Sequence, residues 1–115
     1  MTLRAADLDD YFARIGWAGP VAADRATLNA IAAHHPAAIA FENLDPYLDR
    51  SVDLAPDALV AKLIHGGRGG YCFEQNGLLR LVLEALGFAV TPLSGRVVWN
   101  MDPETITART HMVLR

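Results

Sequence analysis

The chain has 115 residues, of which 52% are hydrophobic and 20% charged, a composition typical of one globular domain rather than of a disordered segment. Its net charge is −3, and its 10 lysines and arginines are scattered singly, which argues against a nucleic-acid groove or an anionic membrane surface. No apolar run approaches the roughly 18 residues of a membrane helix, and the first ten residues lack the apolar stretch of a secretory signal.

The first helix is indicated by apolar residues at spacing i, i+3, i+4 and i+7, namely Leu8, Tyr11, Phe12 and Ile15. Asp7 is its predicted N-cap and Gly16 its predicted end. A second helix is expected to begin after Asp24, with Leu28 and Ile31 facing the core. Segment 34–36, with the sequence His-His-Pro, is expected to end it and to leave both histidines exposed, because proline disfavours helix in the residue before it.

Segment 41–53 is mixed and polar, and a short helical turn followed by a loop or a short hairpin is predicted there. Pro56 then stands at a typical first helical position, and apolar residues follow it at helical spacing: Leu59, Val60, Leu63 and Ile64. His65 and the two glycines after it are expected to close that helix. A further helix is indicated by Leu79, Val82, Leu83 and Leu86, and it should end at Gly87.

After residue 87 the pattern changes to strand-forming residues, interrupted by Pro92, Ser94 and Gly95: Phe88, Val90, Val97, Val98 and Trp99. A loop is predicted over 100–108, and a last strand over 111–114. The predicted fold class is α+β. Residues 1–87 are expected to form a helical bundle domain that carries the cysteine, and residues 88–115 the first strands of an antiparallel β-barrel, in a cysteine-proteinase-like architecture.

The sharpest local feature is a glycine-containing run at the predicted start of the last helix, Arg68-Gly69-Gly70-Tyr71-Cys72-Phe73-Glu74-Gln75-Asn76. The two glycines allow a tight turn that exposes the residues after them, and Cys72 falls at the first turn of the helix. Unpaired N–H groups and the helix dipole there favour a thiolate and can stabilise an oxyanion. Arg68 would add positive charge nearby, whereas Glu74 would oppose thiolate formation. A phosphate-binding loop is the weaker interpretation, since no Lys-Ser/Thr pair follows the glycines, and no metal site is predicted.

A thiolate nucleophile usually has a partner base, and His111 is the best candidate among the histidines. His34, His35 and His65 fall at predicted helix ends, where exposed or dipole-stabilised histidines are common. His111 instead lies on a predicted apolar strand, where its polar ring needs a partner that Cys72 would supply. A single cysteine makes no internal disulfide, which favours a reducing, cytoplasmic setting.

These residues resemble the arylamine N-acetyltransferase family. The run from Arg68 to Asn76 resembles the active-site signature of that family, and two further segments resemble its other motifs: Phe41-Glu42-Asn43-Leu44 and Arg109-Thr110-His111-Met112-Val113-Leu114. The motifs occur in the order of the family and span essentially the whole chain. The resemblance implies a Cys-His-Asp triad in which Cys72 takes an acetyl group from acetyl-CoA and His111 is the base.

The resemblance further implies an aromatic amine, arylhydroxylamine or hydrazine as acceptor, with Phe41 and one of Val97 and Val98 lining its pocket. From sequence alone, Phe41 is as well explained as ordinary core. Gly69, Gly70, Arg68 and Phe73 would support the oxyanion site or the motif. No metal, nucleic-acid or membrane partner is implied. An amide synthase of the same superfamily, which joins an enzyme-bound or CoA-bound acyl chain to an aromatic amine, uses the same triad and stays an alternative.

The triad aspartate of the family follows the histidine, and no aspartate follows His111 in this chain. Asp102 precedes the histidine in a predicted loop and is not promoted to that role. We therefore expect the chain to be the N-terminal part of such an enzyme and inactive or nearly so by itself, since neutralising a triad aspartate lowers kcat about 10⁴-fold in serine proteases. A non-catalytic domain that self-associates through an unpaired strand edge near Arg115 is the alternative from another functional class.

Overall fold

A computed structural model describes residues 3–115. The elements run in the order α1 (Ala5–Ile15), α2 (Arg25–Ala38), α3 (Leu44–Tyr47), α4 (Pro56–Leu59) with a π-helical continuation (Val60–His65), α5 (Cys72–Ala85), β1 (Pro92–Gly95) and β2 (His111–Leu114). The predicted α+β class is confirmed, with helices first and an antiparallel strand pair last. The β-barrel, the cysteine-proteinase-like architecture and the division into 1–87 and 88–115 stay predictions.

The hydrophobic core lies between α1, α2, the π-helical continuation and α5. Each of these elements contributes one or two of the most buried apolar side chains, and the segment just after α2 contributes one more. These side chains are Tyr11, Ile31, Ile39, Leu63, Leu78 and Val82. The predicted inner face of α1 is confirmed, because Tyr11, Phe12 and Ile15 are all buried. Within residues 3–115, no helix is long and apolar enough to cross a membrane.

The predicted N-cap of α1 is wrong by three positions. The helix begins one turn earlier, after Arg4, so that Asp7 lies in the first turn. There its buried carboxylate accepts hydrogen bonds from the Arg4 backbone N–H at 3.2 Å and from the Arg4 guanidinium at 2.8 Å. The predicted end is confirmed, since Gly16 has φ of 74°, a left-handed conformation that glycine adopts without strain.

Helix α2 begins where the sequence predicts and ends later. The Asp24 carboxylate accepts the Thr27 N–H at 2.8 Å, as an N-cap does. The predicted end at 34–36 is wrong, because the helix continues through Pro36 to Ala38. Proline removes one backbone bond, and burial of the last turn through His35 outweighs that loss. Leu28, predicted to face the core, is 40% exposed.

The middle of the chain follows the sequence pattern closely. Segment 41–53 contains the predicted helical turn, α3, followed by a loop and not a hairpin. Pro56 is the first residue of α4, as predicted. The chain then widens into the π-helical continuation, whose closing Gly66 N–H donates to the Ala61 carbonyl oxygen at 2.7 Å. Arg14 fixes this region, donating to the Leu63 carbonyl at 2.9 Å and to the Ala38 carbonyl at 2.8 Å.

The first strand is not where strand-forming residues cluster. β1 consists of Pro92–Gly95, the residues predicted to interrupt it, whereas Val97 and Val98 lie in a loop that turns at Trp99–Asn100. Pairing decides this, because the register sets Pro92 opposite Leu114 and Gly95 opposite His111. Strand β2 is confirmed at 111–114, and the predicted loop over 100–108 is confirmed.

Candidate active site

The glycine turn before α5 is held against the chain segment that follows α2. Phe41 and Gly70 form an isolated parallel bridge, in which the Gly70 N–H donates to the Ala40 carbonyl at 3.1 Å and the Glu42 N–H to the Gly70 carbonyl at 3.0 Å. A Cβ on Gly70 would lie 2.7 Å from the Glu74 Cβ, and one on Gly69 would overlap the Ala40 carbonyl oxygen. The close approach of two backbones therefore requires glycine at position 69, and the Glu74 side chain leaves no room for a Cβ at position 70.

Cys72 is the first residue of α5, as the sequence predicts. The first intrahelical bond is donated by Gln75 to the Tyr71 carbonyl, so the N–H groups of residues 72–74 precede the hydrogen-bonded ladder. The thiol is 5% exposed and lies 3.8 Å from the Thr110 carbonyl oxygen. Beside it opens a cavity of about 310 Å³, lined by Phe41, Glu42, Asn43, Tyr71 and Cys72. Cys72 therefore lies at a helix N-terminus and also lines an open cavity.

His111 is the first residue of β2, directly after the carbonyl that the thiol contacts. The strand is fixed along α5, because the Asn76 side-chain amide donates to the Met112 carbonyl oxygen at 2.7 Å. His111 and Phe41 share a second cavity of about 320 Å³, largely apolar and bounded by α2 and α5. Phe41 therefore lines both the cavity beside Cys72 and the cavity beside His111.

The remaining predicted site residues fall in different places. Phe41 is 69% exposed, so it is not core. Val97 and Val98 lie in the loop after β1 and are not among the residues that line either cavity beside Phe41. Phe73 lines a third cavity, together with Met112, on the other side of α5. Asp102 caps the turn of its own loop by accepting the Glu104 N–H at 2.9 Å.

The charges around the cysteine motif are arranged differently from the sequence prediction. Arg68 forms ion pairs with Asp45 at 3.3 Å and with Glu42 at 3.5 Å, so these carboxylates offset its positive charge. Glu74 is 1% exposed, and its carboxylate receives Lys62 Nζ at 2.6 Å and the Tyr71 N–H at 3.2 Å. The hydrogen bond from Lys62 lowers the pKa of the Asp45 carboxyl, helped by Arg68. Burial opposes protonation of Lys62, but its bonds to both carboxylates outweigh burial and raise its pKa.

A buried polar chain behind the site was not predicted. His35 is buried, not exposed as the sequence suggests, and its two ring nitrogens lie 2.8 Å from the Tyr11 hydroxyl and 2.7 Å from Gln75 Oε1. The Gln75 amide nitrogen faces three carbonyl oxygens, those of Ile39, Ala40 and Gly70. Because that nitrogen must donate, Oε1 must accept, so His35 carries its proton on Nε2 and Tyr11 donates to Nδ1.

This chain of hydrogen bonds joins the core to the glycine turn. Burial lowers the pKa of His35 and raises that of Tyr11, so both groups are held in their neutral forms. Within residues 3–115, every buried side-chain nitrogen or oxygen has a hydrogen-bond partner. The sequence contains one signal that His35 is buried, because His35 continues the buried series Thr27 and Ile31 at intervals of four residues.

Across the same described residues, no three histidine, cysteine, aspartate or glutamate side chains come together as metal ligands would. The site residues present are the cysteine at a helix N-terminus, the histidine that follows the carbonyl contacted by its thiol, and the two cavities that Phe41 lines.

Comparison with known proteins identifies the class. A family model described as N-acetyltransferase matches residues 24–115. The arylamine N-acetyltransferase of Mycolicibacterium smegmatis is 54% identical over 112 residues, which cover 96% of this chain and 41% of that protein. The arylamine N-acetyltransferase of Escherichia coli K12 is 47% identical over 107 residues, covering 93% of this chain and 38% of that protein.

A solved structure of the Mycobacterium marinum arylamine N-acetyltransferase in complex with CoA superimposes with a TM-score of 0.86 at 46% identity, over 93% of this chain and 40% of that one. The chain therefore belongs to the arylamine N-acetyltransferase family, a family of acyltransferases. It spans about two fifths of the length of the curated relatives that it matches.

Proposed function

We propose that this chain supplies the nucleophile and the base for acetyl transfer from acetyl-CoA to an aromatic amine, arylhydroxylamine or hydrazine. The observation that carries the proposal is the position of Cys72, at the first residue of α5 and beside an open cavity, with His111 on the adjoining strand. Helix N-termini favour the anionic form of a thiol. The motifs around both residues are those that the family resemblance singles out.

The transfer proceeds in two steps that share one sulfur. His111 takes the Cys72 proton, and the thiolate attacks the carbonyl carbon of acetyl-CoA. A C–S bond to the enzyme forms as the C–S bond to CoA breaks, and the CoA thiolate leaves with the proton that His111 returns. The amine nitrogen then attacks the thioester, its proton passes to His111, and the acetylated amine leaves as Cys72 is regenerated. The N–H groups at the start of α5 are the proposed donors to the oxyanion in each step, which their position at the helix N-terminus supports.

Phe41 is proposed to contact the acceptor. Its ring is 69% exposed and borders both cavities, so a flat aromatic amine would stack on it while its nitrogen approaches the thioester. Val97 or Val98 is proposed as a further acceptor contact on the family resemblance alone. The single thiol suits a reducing, cytoplasmic setting.

The histidine needs a carboxylate to complete a triad. Within residues 3–115, the hydrogen bonds and ion pairs of the structure give His111 no carboxylate partner, and the aspartates near the motif are paired elsewhere. We therefore propose that this chain by itself turns over slowly or not at all, and that catalysis takes place in a protein of the relatives' length.

The test is an acetylation assay on two proteins, this chain and a chimera in which it replaces the matching part of the M. smegmatis relative. Acetyl-CoA and an aniline or hydrazine are supplied, and acetylated product is measured by chromatography. The chimera should turn over, with Cys72→Ser and His111→Ala each lowering the rate by about 10³-fold or more. An active chimera that is insensitive to Cys72→Ser would refute the proposal.

The amide synthase alternative is separated in the same assay by the donor. Acetyl-CoA is compared with longer acyl-CoA thioesters at equal concentration. A preference for acetyl supports the acetyltransferase, whereas a preference for long chains with the same Cys72 dependence supports the synthase. Light scattering on the chain tests the predicted self-association through its strand edge.

A further inference from the structure

Gln75 lies in the first turn of α5, three residues after Cys72, and its side chain is buried. Its amide nitrogen lies 2.8 Å from the Ala40 carbonyl oxygen and 3.3 Å from the Gly70 carbonyl oxygen. Ala40 directly precedes Phe41 in the chain, whereas Gly70 belongs to the glycine turn that leads to the cysteine. One side chain therefore contacts both the segment that carries Phe41 and the turn before Cys72.

The backbone holds Phe41 against this turn by an isolated bridge, the Phe41–Gly70 bridge. Its two hydrogen bonds run from the Gly70 N–H to the Ala40 carbonyl at 3.1 Å and from the Glu42 N–H to the Gly70 carbonyl at 3.0 Å. Both of these accepting oxygens also face the Gln75 amide nitrogen. A bridge of one residue pair is marginal by itself, because stable strand pairing needs a longer ladder or further packing. The Gln75 amide therefore supplies hydrogen bonds that the bridge needs.

The orientation of the Gln75 amide is fixed from its other side. Gln75 Oε1 lies 2.7 Å from His35 Nε2, and His35 Nδ1 lies 2.8 Å from the Tyr11 hydroxyl. A flipped amide would set its oxygen against the backbone carbonyl oxygens and its nitrogen against the His35 N–H. Such pairs of two acceptors or two donors leave buried polar groups unsatisfied, which costs free energy. The core therefore holds the amide in the orientation that donates to the Ala40 and Gly70 carbonyls.

The position of the Phe41 ring depends on the backbone that carries it. The side chain is 69% exposed, so little packing fixes it, and it lines the cavity beside Cys72 as well as the cavity beside His111. A shift of the backbone at Ala40 or Gly70 would therefore move the ring relative to Cys72. Misplacement of a bound reactant by about 1 Å can lower a rate by about 10²-fold.

We propose that Gln75 is a positioning residue that sets Phe41 relative to Cys72 and so determines how well the enzyme uses aromatic acceptors. This rests on the proposed roles of Cys72 as nucleophile and of Phe41 as the ring on which the acceptor stacks, and it goes beyond them. Gln75 acts through the Phe41–Gly70 bridge. Its loss should therefore weaken the use of acceptors that have an aromatic ring more than the use of acceptors that have none.

The experiment measures kcat/KM for aniline and for hydrazine in the chimera with the M. smegmatis relative and takes the ratio of the two values. Hydrazine has no ring to stack on Phe41, so it reports the transfer step without that contact. Gln75→Met, which removes the amide and keeps the length of the side chain, should lower the ratio of aniline to hydrazine by roughly tenfold. A purely structural loss would lower both values alike and leave the ratio unchanged.

Phe41→Ala tests whether Gln75 acts through the ring. It should lower the ratio by itself, and adding Gln75→Met to it should change the ratio by less than about twofold. Arg80→Met is the control and should keep the wild-type ratio, because Arg80 pairs with Glu84 at 2.8 Å on the exposed side of α5. Circular dichroism checks folding. If Gln75→Met does not fold, Gln75→Ala carries the same prediction, since water can fill the space that it leaves and solvate the carbonyls.

The proposal is overturned if Gln75→Met keeps the wild-type ratio, if Phe41→Ala keeps it, or if Gln75→Met lowers it equally in the Phe41→Ala background. The last result would mean that Gln75 contacts the acceptor directly, in the cavity beside His111 that it also lines.

Failure of the acetyltransferase proposal gives a different result, a wild-type chimera that acetylates neither aniline nor hydrazine. Binding of aniline, measured by NMR titration, then decides the role of Gln75. Gln75→Met and Phe41→Ala should each weaken binding, and the double variant should weaken it no further. Equal binding in all four proteins would overturn the positioning role.

Discussion

The two regions of the chain that contribute to the candidate site, the helical region up to residue 87 and the segment 88–115, differ in how deeply their side chains are buried. The helical region up to residue 87 contains all of the buried core, and its polar chain Tyr11–His35–Gln75 reaches the backbone of the glycine turn. In the segment 88–115 no residue is fully buried, and many side chains are exposed, such as Trp99 at 82% and Ile106 at 83%.

The comparison separates Cys72, the proposed nucleophile, from His111, its proposed base. Cys72 is positioned by a packed core and by close backbone contacts, which leave little freedom for local movement. His111 is positioned by a two-stranded ladder and by the Asn76 hydrogen bond to β2. A two-stranded ladder is marginally stable without packing, so the contacts with α5 hold the histidine in place.

The largest expected effect comes from the glycine turn. Gly69→Ala should lower the free energy of unfolding by about 3 kcal/mol, because the new Cβ would overlap the Ala40 carbonyl oxygen and force two backbones apart. Gly67→Ala is the matched control, since its Cβ would meet nothing within 4 Å and only its φ of 62° opposes the change, at about 1 kcal/mol. Urea denaturation measures both, and equal losses would contradict the assigned close approach.

The next effect belongs to the buried polar chain. His35→Phe should lower the free energy of unfolding by about 2 kcal/mol, because the Tyr11 hydroxyl and Gln75 Oε1 both lose their partner in the core. His34→Phe, one position earlier and packed on Trp17, should change it by less than about 0.5 kcal/mol. Similar losses of stability in the two variants would show that the hydrogen bonds of His35 do not contribute specifically to the free energy of unfolding.

A smaller effect is expected where the hairpin meets α5. Asn76→Ala removes the bond to the Met112 carbonyl and should lower stability by about 1 kcal/mol. Hydrogen exchange should quicken in β1 and β2 but not in α1, because the loss is local. Trp99→Ala, in the exposed loop, should change neither stability nor exchange measurably. Faster exchange in α1 after Asn76→Ala would contradict the separation of the two regions.

The smallest effect is expected from one titrating group. Burial lowers the pKa of His35, so the unfolded chain binds its proton more readily than the folded chain does. The stability from neutral His35 is therefore complete above about pH 6.5 and is lost as the pH falls below that value. The stability difference between wild type and His35→Phe should shrink between about pH 7.5 and about pH 5.5. If the stability difference between wild type and His35→Phe grows as the pH falls, the assigned direction of the His35 pKa shift is wrong.

Local patterns in the sequence predicted those features that local physics controls. The glycine turn, the start of α5 and the position of Cys72 follow from glycine conformation and helix capping within a few residues. The end of α2 and the position of β1 were predicted wrongly, because tertiary burial of His35 and pairing with β2 override local propensity. The ion pairs of Lys62 with Glu74 and Asp45 join residues that are 12 and 17 positions apart, and no periodic pattern marks such a contact.

The most direct test of the account is the site of acetylation. The chimera with the M. smegmatis relative is treated with acetyl-CoA, quenched in acid before an acceptor is added, digested and mapped by mass spectrometry, with Cys72→Ser in the same chimera as the control. The account predicts one acetyl group, on the peptide that contains Cys72, which disappears when an aromatic amine is added before the quench. An acetyl group on a lysine or on the N-terminus with Cys72 unmodified, in a protein that still acetylates the amine, would contradict it.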